Sequence, residues 1–278
     1  MFRLSLAVCI GLGLLANGAP VATGCDRDAL LEAAGKYVEA QTAGKLDALQ
    51  DLLDKNFTYQ ENNKVIAVED GVISLPLVID HSRSTADTTN CASYSELVSS
   101  KGSKPYVIGT QIRHDPESMA ITMVDSVAAT TGAWLFDAAK TLSIVLQEDD
   151  AWTIIPEDKR DSRELLQQAA DAYLDIWSNA TAQDAVPWGT PCRRLEGSAY
   201  TGSGAASDTC TVGIPTNHNQ APNTHRRYVI DEAMGTCQVL CVWEHMMMAA
   251  DSHEFRLENG KLRYVHAITM CPGQTCRL

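Results

Sequence analysis

The chain has 278 residues, of which 45% are hydrophobic and 21% charged, and its 22 Lys and Arg against 35 Asp and Glu give a formal net charge of −13. Such a field repels phosphate backbones, which argues against nucleic acid as a partner. Beyond the N-terminus no apolar run of about 18 residues occurs, so the sequence offers no membrane anchor.

The chain opens Met1-Phe2-Arg3 and continues apolar from Leu4 to Ala16, the charged start and short hydrophobic core of a secretory signal. Cleavage fits after Ala19 or after Gly24, and the small residues Ala22 and Gly24 favour the second. The expected organisation is a signal peptide over 1–24 and an exported protein from Cys25, with a lipid-modified Cys25 as the competing reading. Eight cysteines remain: Cys25, Cys91, Cys192, Cys210, Cys237, Cys241, Cys271 and Cys276. An even set in an exported chain reads as up to four disulfides whose pairing the sequence leaves open. Cys237 and Cys241 would share one face of a strand, too far from a tight knuckle for zinc. Asn56-Phe57-Thr58 and Asn179-Ala180-Thr181 fit the N-glycosylation pattern, as expected of a secreted or secretory-lumen glycoprotein.

The segment from Arg27 to Val38 recurs from Arg163 to Leu174, with Arg, Leu, Ala, Ala and Tyr repeated at one offset of 136 residues. Leu30, Ala34, Tyr37 and Val38 share a helical face, as do Leu166, Ala170, Tyr173 and Leu174, so each copy opens with an amphipathic helix that needs a sheet to cover it. The tyrosines belong to the cores. Asp161-x-x-Glu164 offers a capping box for the second helix. Short strands are expected over 63–68, 119–130, 141–147 and 152–155, then over 226–231 and 237–245 with a closing hairpin. The charged run from Glu157 to Asp161 is the natural joint. The fold class is therefore α+β, two tandem repeats (25–158 and 159–278) of helices packed on a curved antiparallel sheet, each a cone with a pocket inside.

The closing hairpin carries the sharpest site signal. Asn259-Gly260 suits a two-residue type I′ turn, which sets Glu258 opposite Lys261, Leu257 opposite Leu262, Phe255 opposite Tyr264 and His253 opposite His266. Alternation then puts His253, Phe255, Leu257, Leu262, Tyr264, His266, Ile268 and Met270 on one apolar face. Glu254, Arg256, Glu258, Lys261 and Arg263 fall on a charged face toward water. Two imidazoles on an apolar face require partners, and imidazole suits general acid or base work. Asp251, two residues before His253, could orient it. A metal site from Asp251, His253, His266 and His245 has suitable ligand types but no verifying spacing, so neither metal nor cofactor is expected. No Gly-x-Ser-x-Gly, His-Glu-x-x-His, phosphate loop or GxGxxG is present.

The second half resembles a family of secreted fungal proteins with the ketosteroid-isomerase-like, nuclear-transport-factor-like cone fold. The resemblance rests on Trp188-Gly189-Thr190-Pro191-Cys192-Arg193-Arg194-Leu195-Glu196-Gly197, Arg226-Arg227-Tyr228-Val229-Ile230-Asp231-Glu232, Asp251-Ser252-His253-Glu254-Phe255-Arg256, and Gly260-Lys261-Leu262-Arg263-Tyr264-Val265-His266. Some similar proteins are maleidride dimerising cyclases, which join maleic-anhydride monomers in secondary metabolism. Together with the two imidazoles of the hairpin, the expectation is a cofactor-independent enzyme that removes a proton beside the carbonyl of a small-molecule substrate. His253, His266, Asp251 and Tyr228 would be its catalytic residues, with Arg194, Glu196, Arg226 and Tyr264 holding the substrate. Arg194 with Glu196, or Arg226 with Asp231, could instead be ion pairs tying loop to sheet. The competing class is a secreted module that binds a small ligand, or a host, without transforming it.

Overall fold

The computed structural model describes residues 25–276; the proposed signal segment lies outside them. Helix α1 (Arg27–Ala43) begins at Asp26, whose carboxylate accepts from the N–H groups of Asp28 and Ala29, and ends at Gly44 in the left-handed conformation. Its buried stripe of Leu30, Ala34 and Tyr37 is the one the sequence pattern marks. Six strands follow: β1 (Leu53–Glu61), β2 (Lys64–Val65), β3 (His81–Asp87), β4 (Ala92–Ser99), β5 (Tyr106–His114) and β6 (Ile121–Ala129), in the order β2-β1-β6-β5-β4-β3.

Helix α2 (Ala138–Glu148) occupies the segment expected as a strand over 141–147. Its buried residues, Ala138, Thr141, Ile144, Val145 and Glu148, recur at helical spacing, and Asp137 caps it by accepting from the Lys140 N–H. Residues 152–155 form no strand either. Helix α3 (Arg163–Asp175) buries Leu166, Ala170, Tyr173 and Leu174 as expected, but its cap is Ser162, which accepts from the Leu165 N–H, in place of Asp161. Six further strands complete the chain: β7 (Trp188–Glu196), β8 (Ala199–Tyr200), β9 (Asn223–Asp231), β10 (Thr236–Trp243), β11 (Ala249–Glu258) and β12 (Lys261–Met270). Their order, β8-β7-β12-β11-β10-β9, repeats that of the first sheet.

These are two tandem α+β domains with one topology, including a parallel pairing of the first long strand with the last, β1 with β6 and β7 with β12. The faces of the two sheets turned away from α1 and α3 pack on each other, with a near two-fold relation visible in single residues. Arg163 of α3 grips Asp87 at the end of β3 at 2.8 and 2.7 Å, while Arg27 of α1 grips Asp231 at the end of β9 at 2.6 Å. Asp87 also accepts from the Ile230 N–H, and Asp231 from the Ala86 N–H, each at 2.9 Å. Between the sheets lies an apolar layer including Val127, Leu195, Leu240 and Ile268, closed on one side by Ile144 and Val145 of α2.

Three disulfides form, Cys25–Cys91, Cys192–Cys210 and Cys271–Cys276, and Cys237 and Cys241 stay as buried free thiols. The expectation of four bonds is corrected here because β10 directs both thiols into the core under α3. Asn56 and Asn179 are both exposed, the first on β1 and the second at the start of a short 3-10 turn. No helix among the described residues is long and apolar enough to cross a membrane.

Candidate active site

The β11–β12 hairpin turns at Asn259 (φ 54°) and Gly260 (φ 70°), the positive-φ pair a type I′ turn requires, and it starts in the expected register with Glu258 opposite Lys261 and Leu257 opposite Leu262. A bulge then inserts Arg263, and the register moves by one: Arg256 faces Tyr264, Phe255 faces Val265, Glu254 faces His266 and His253 faces Ala267. The two imidazoles therefore lie on opposite faces of the sheet, and the expected pairing of His253 with His266 is corrected. The face expected to be wet is buried against the first domain, with Glu254 0% and Arg256 2% exposed.

On the α3 side, Asp251, His253 and Phe255 of β11 meet Val265, Ala267 and Thr269 of β12, and β7 adds Arg194 opposite Val265 and Glu196 opposite Ala267. Asp251 Oδ2 lies 2.7 Å from His253 Nδ1 and its Oδ1 accepts from the Thr269 hydroxyl at 2.7 Å. The Cys241 thiol donates to the same carboxylate at 3.4 Å. Held this way, the carboxylate fixes the proton on Nδ1 and leaves Nε2 to act. Burial lowers the His253 pKa and Asp251 raises it, with a net upward shift. Nε2 is buried with no partner among the described residues.

Glu196 is 6% exposed, and neither of its carboxylate oxygens accepts a hydrogen bond among the described residues; Arg194 Nη1 stands 3.8 Å away. Arg194 itself donates to the Tyr173 hydroxyl at 3.1 Å and to the Val212 carbonyl at 2.5 Å. Burial pushes the Tyr173 phenol up to about 12, against the pull of Arg194, so it stays a neutral hydroxyl. Arg194 and Glu196 open onto a cavity of about 350 Å³ whose wall includes Trp134, Trp177, Trp243 and Tyr200. His253 does not line that cavity; its ring sits behind, 5.8 Å from the Tyr173 ring and stacked on Phe255 at 5.7 Å. A larger cavity of about 500 Å³ lies near the β1–β2 turn, but its titratable residues, Glu61 and Lys64, are half-buried and exposed. It offers no convergent buried groups.

Of the residues picked from sequence, Asp251, His253, Arg194 and Glu196 come together. Tyr228 and Arg226 do not join them: the Tyr228 hydroxyl donates to Asp171 at 2.6 Å and Arg226 bridges Asp171 and Asp175, so both tie the edge strand β9 to α3. Asp231 pairs with Arg27, not with Arg226. Tyr264 is on the far face, its ring 5.5 Å from Trp152, beside His266. His266 bonds Glu96 and Glu148 of the first domain. His245 is in an exposed turn, so the four-residue metal set is not assembled. Glu96, Glu254 and His266 do converge, but the Arg83 guanidinium already occupies their centre, 2.8 Å from Glu254 and 3.4 Å from Glu96. Sequence reasoning missed Thr269, Cys241 and the tryptophan wall; the expected register put Thr269 on the other face of the sheet, and only the bulge at Arg263 brings it beside Asp251.

The matching registers give each site residue a counterpart in the first domain: Thr110 for His253, Ile108 for Asp251, Tyr59 for Arg194 and Glu61 for Glu196. There Glu61 is satisfied, accepting from the Tyr59 hydroxyl and the Val72 N–H at 2.7 Å each, and Tyr37, Thr110 and Ser126 bond in a chain. The first domain fills with protein groups the place that stays unpaired in the second. No curated protein and no solved structure matches the chain. A family model described as a domain of unknown function (DUF8021) does match it over residues 159–269, a span that holds Arg194, Glu196, Asp251 and His253.

Proposed function

We propose that the protein is an exported enzyme that performs proton transfer on a small carbonyl or anhydride substrate in the pocket of a cone-shaped second domain, without a cofactor. The carrying observation is that the Glu196 carboxylate, 3.8 Å from Arg194, and His253 Nε2, across Ala267 on the same face of the sheet, have no hydrogen-bond partner among the described residues, in a place where the first domain satisfies the equivalent groups internally. Unsatisfied buried polar atoms cost about 1–3 kcal/mol each, and a ligand that supplies their partners recovers it. Glu196 removes a proton next to the carbonyl. Arg194, on the wall of the cavity, stabilises the developing enolate oxygen, and the His253 imidazolium, supported by Asp251 behind that wall, adds positive charge to the pocket. The indole walls exclude water and strengthen these interactions. Addition of the resulting carbanion to a second acceptor would give the dimerising cyclisation of maleic-anhydride monomers that the resemblance suggests. Three disulfides and two exposed sequons support an exported site of action.

Mass spectrometry of an extract of the producing organism, before and after incubation with pure protein, separates this reading from simple ligand binding. Catalytic consumption of a metabolite far beyond the amount of protein, lost in Glu196→Gln, is the expected result. Stoichiometric retention without consumption would make the protein a binder. Glu196 makes no hydrogen bonds to lose, and Arg194, 3.8 Å away, keeps its bonds to Tyr173 and Val212, so the variant should fold, with a melting curve as the check.

A further inference from the structure

The chain holds a second, separate cavity lined by residues that carry buried polar atoms without hydrogen-bond partners among the described residues. It lies between the domains, about 280 Å³ in volume, lined by Gln147 and Glu148 at the end of α2, Arg193 of β7, Tyr200 of β8 and Ser203 of the following loop. Glu148 is 2% exposed. One of its oxygens, Oε2, accepts from His266 Nε2 at 2.8 Å, while Oε1 makes no hydrogen bond of good geometry among the described residues; the Tyr200 phenol, raised in pKa by burial and by this carboxylate, is the neighbouring donor. His266 Nδ1 in turn donates to Glu96 at 3.0 Å. Both ring nitrogens face acceptor-only carboxylates, so the ring is an imidazolium that fixes the carboxylate of Glu148 in place from behind. Arg193 forms no ion pair among the described residues and its Nε is buried without an acceptor, in a protein with 35 acidic side chains available to pair with it.

We propose that this cavity is a ligand site for a small carboxylate that also carries a hydrogen-bond donor, its carboxylate taken by Arg193 and its donor, a hydroxyl or ammonium, by Glu148 Oε1. A guanidinium is the group that recognises a carboxylate with directed N–H bonds, and an ionised, oriented carboxylate oxygen is the matching acceptor. An anion with no donor would meet Glu148 unfavourably, and a donor with no anion would leave Arg193 Nε unpaired, so the two groups together select both features. Tyr200 lines this cavity and the one beside Glu196, so the two are separated by a single side chain. The site is independent of the catalytic reading above, since it uses neither Glu196 nor His253.

Ligand-detected NMR on the full exported chain tests it with four probes: L-serine, L-lactate, propionate and 2-propanol. Serine or lactate should bind saturably. Propionate and 2-propanol, each lacking one feature, should bind about ten-fold more weakly or not at all. Arg193→Gln, a change at a half-buried residue that leaves the fold intact, should reduce serine or lactate binding by a similar factor, and Glu148→Gln should do so if its melting curve shows it folded. Failure of both serine and lactate to bind, binding of propionate as tight as theirs, or binding unaltered in Arg193→Gln would overturn the proposal.

Discussion

His266 donates from Nδ1 to Glu96 and from Nε2 to Glu148, and both partners come from the first domain while the histidine belongs to the second. Burial works against its charge, but the two carboxylates prevail and raise its pKa to about 9. Glu254, opposite it in the sheet, has its pKa raised by burial and by Glu96, and Arg83, stacked 3.6 Å over Trp152, neutralises the group from above. A histidine with a folded-state pKa above its unfolded value of about 6.5 contributes stability that is complete below pH 6.5 and is lost as pH rises through about 9. The whole effect is about 3 kcal/mol. Urea titrations at pH 6.5 and above pH 9 should show the loss in wild type and its absence in His266→Gln; a wild type equally stable at both pH values would contradict this. The sequence made His253 and Asp251 legible as a pair, because residues two apart share a strand face whatever the register. It could not reveal which face His266 joins, since one inserted residue between Leu262 and Tyr264 reverses that outcome.

At the scale of elements, the bulge that separates the imidazoles is built into both sheets. Thr122 in β6 occupies the place of Arg263 in β12, skipped between Ile121 opposite His114 and Met123 opposite Arg113. The parallel partner strands shift at the same level, between Leu53 and Thr58 in β1 and between Trp188 and Arg193 in β7. A bulge bends and twists its strand, which suits a sheet that must wrap a helix. Helix α2 was misread because Thr141 to Gln147 contains the β-branched Thr141, Ile144 and Val145, whereas their spacing, with Ala138, is helical. The capping arms of α1 and α3 work across the domain boundary, each placing an arginine on the other domain's aspartate. Removing Arg163 would take the countercharge from Asp87, which is fully buried and keeps only neutral N–H donors from Thr89, Asn90 and Ile230, so Arg163→Met should cost about 3 kcal/mol. Chemical denaturation measures this, and an effect below about 1 kcal/mol would show that the domains dock without the reciprocal grips.

The whole molecule repeats one topology twice and then divides the labour. The repeat was visible in the sequence because the helices that open each copy keep Arg, Leu, Ala-Ala and Tyr in phase, and each of those residues has a fixed structural job. The charged face of β11 and β12 was misjudged because alternation reports a difference between two faces and carries no information about a second sheet lying on the polar one. Arg83 and Arg227, at corresponding positions of β3 and β9, supply the countercharges across that interface, to Glu254 and Asp125. The thiols belong to this scale too. Burial raises the pKa of both Cys237 and Cys241, which keeps them unreactive in the native state. Alkylation of a chain beginning at Cys25 should therefore add no label when it is folded and two when it is denatured without reductant; four intact disulfides, with no label in either state, would refute the assigned pairing.

The proposed proton transfer is open to one direct comparison, the rate at which wild type, His253→Gln and His266→Gln consume a metabolite of the producing organism. His253→Gln takes a donor from Asp251, which keeps Thr269 and Cys241, so it should fold with a loss of about 2 kcal/mol. Consumption should disappear in His253→Gln and persist in folded His266→Gln at neutral pH. Activity retained by His253→Gln and abolished in a folded His266→Gln would move the chemistry to the other face of the sheet and contradict the account.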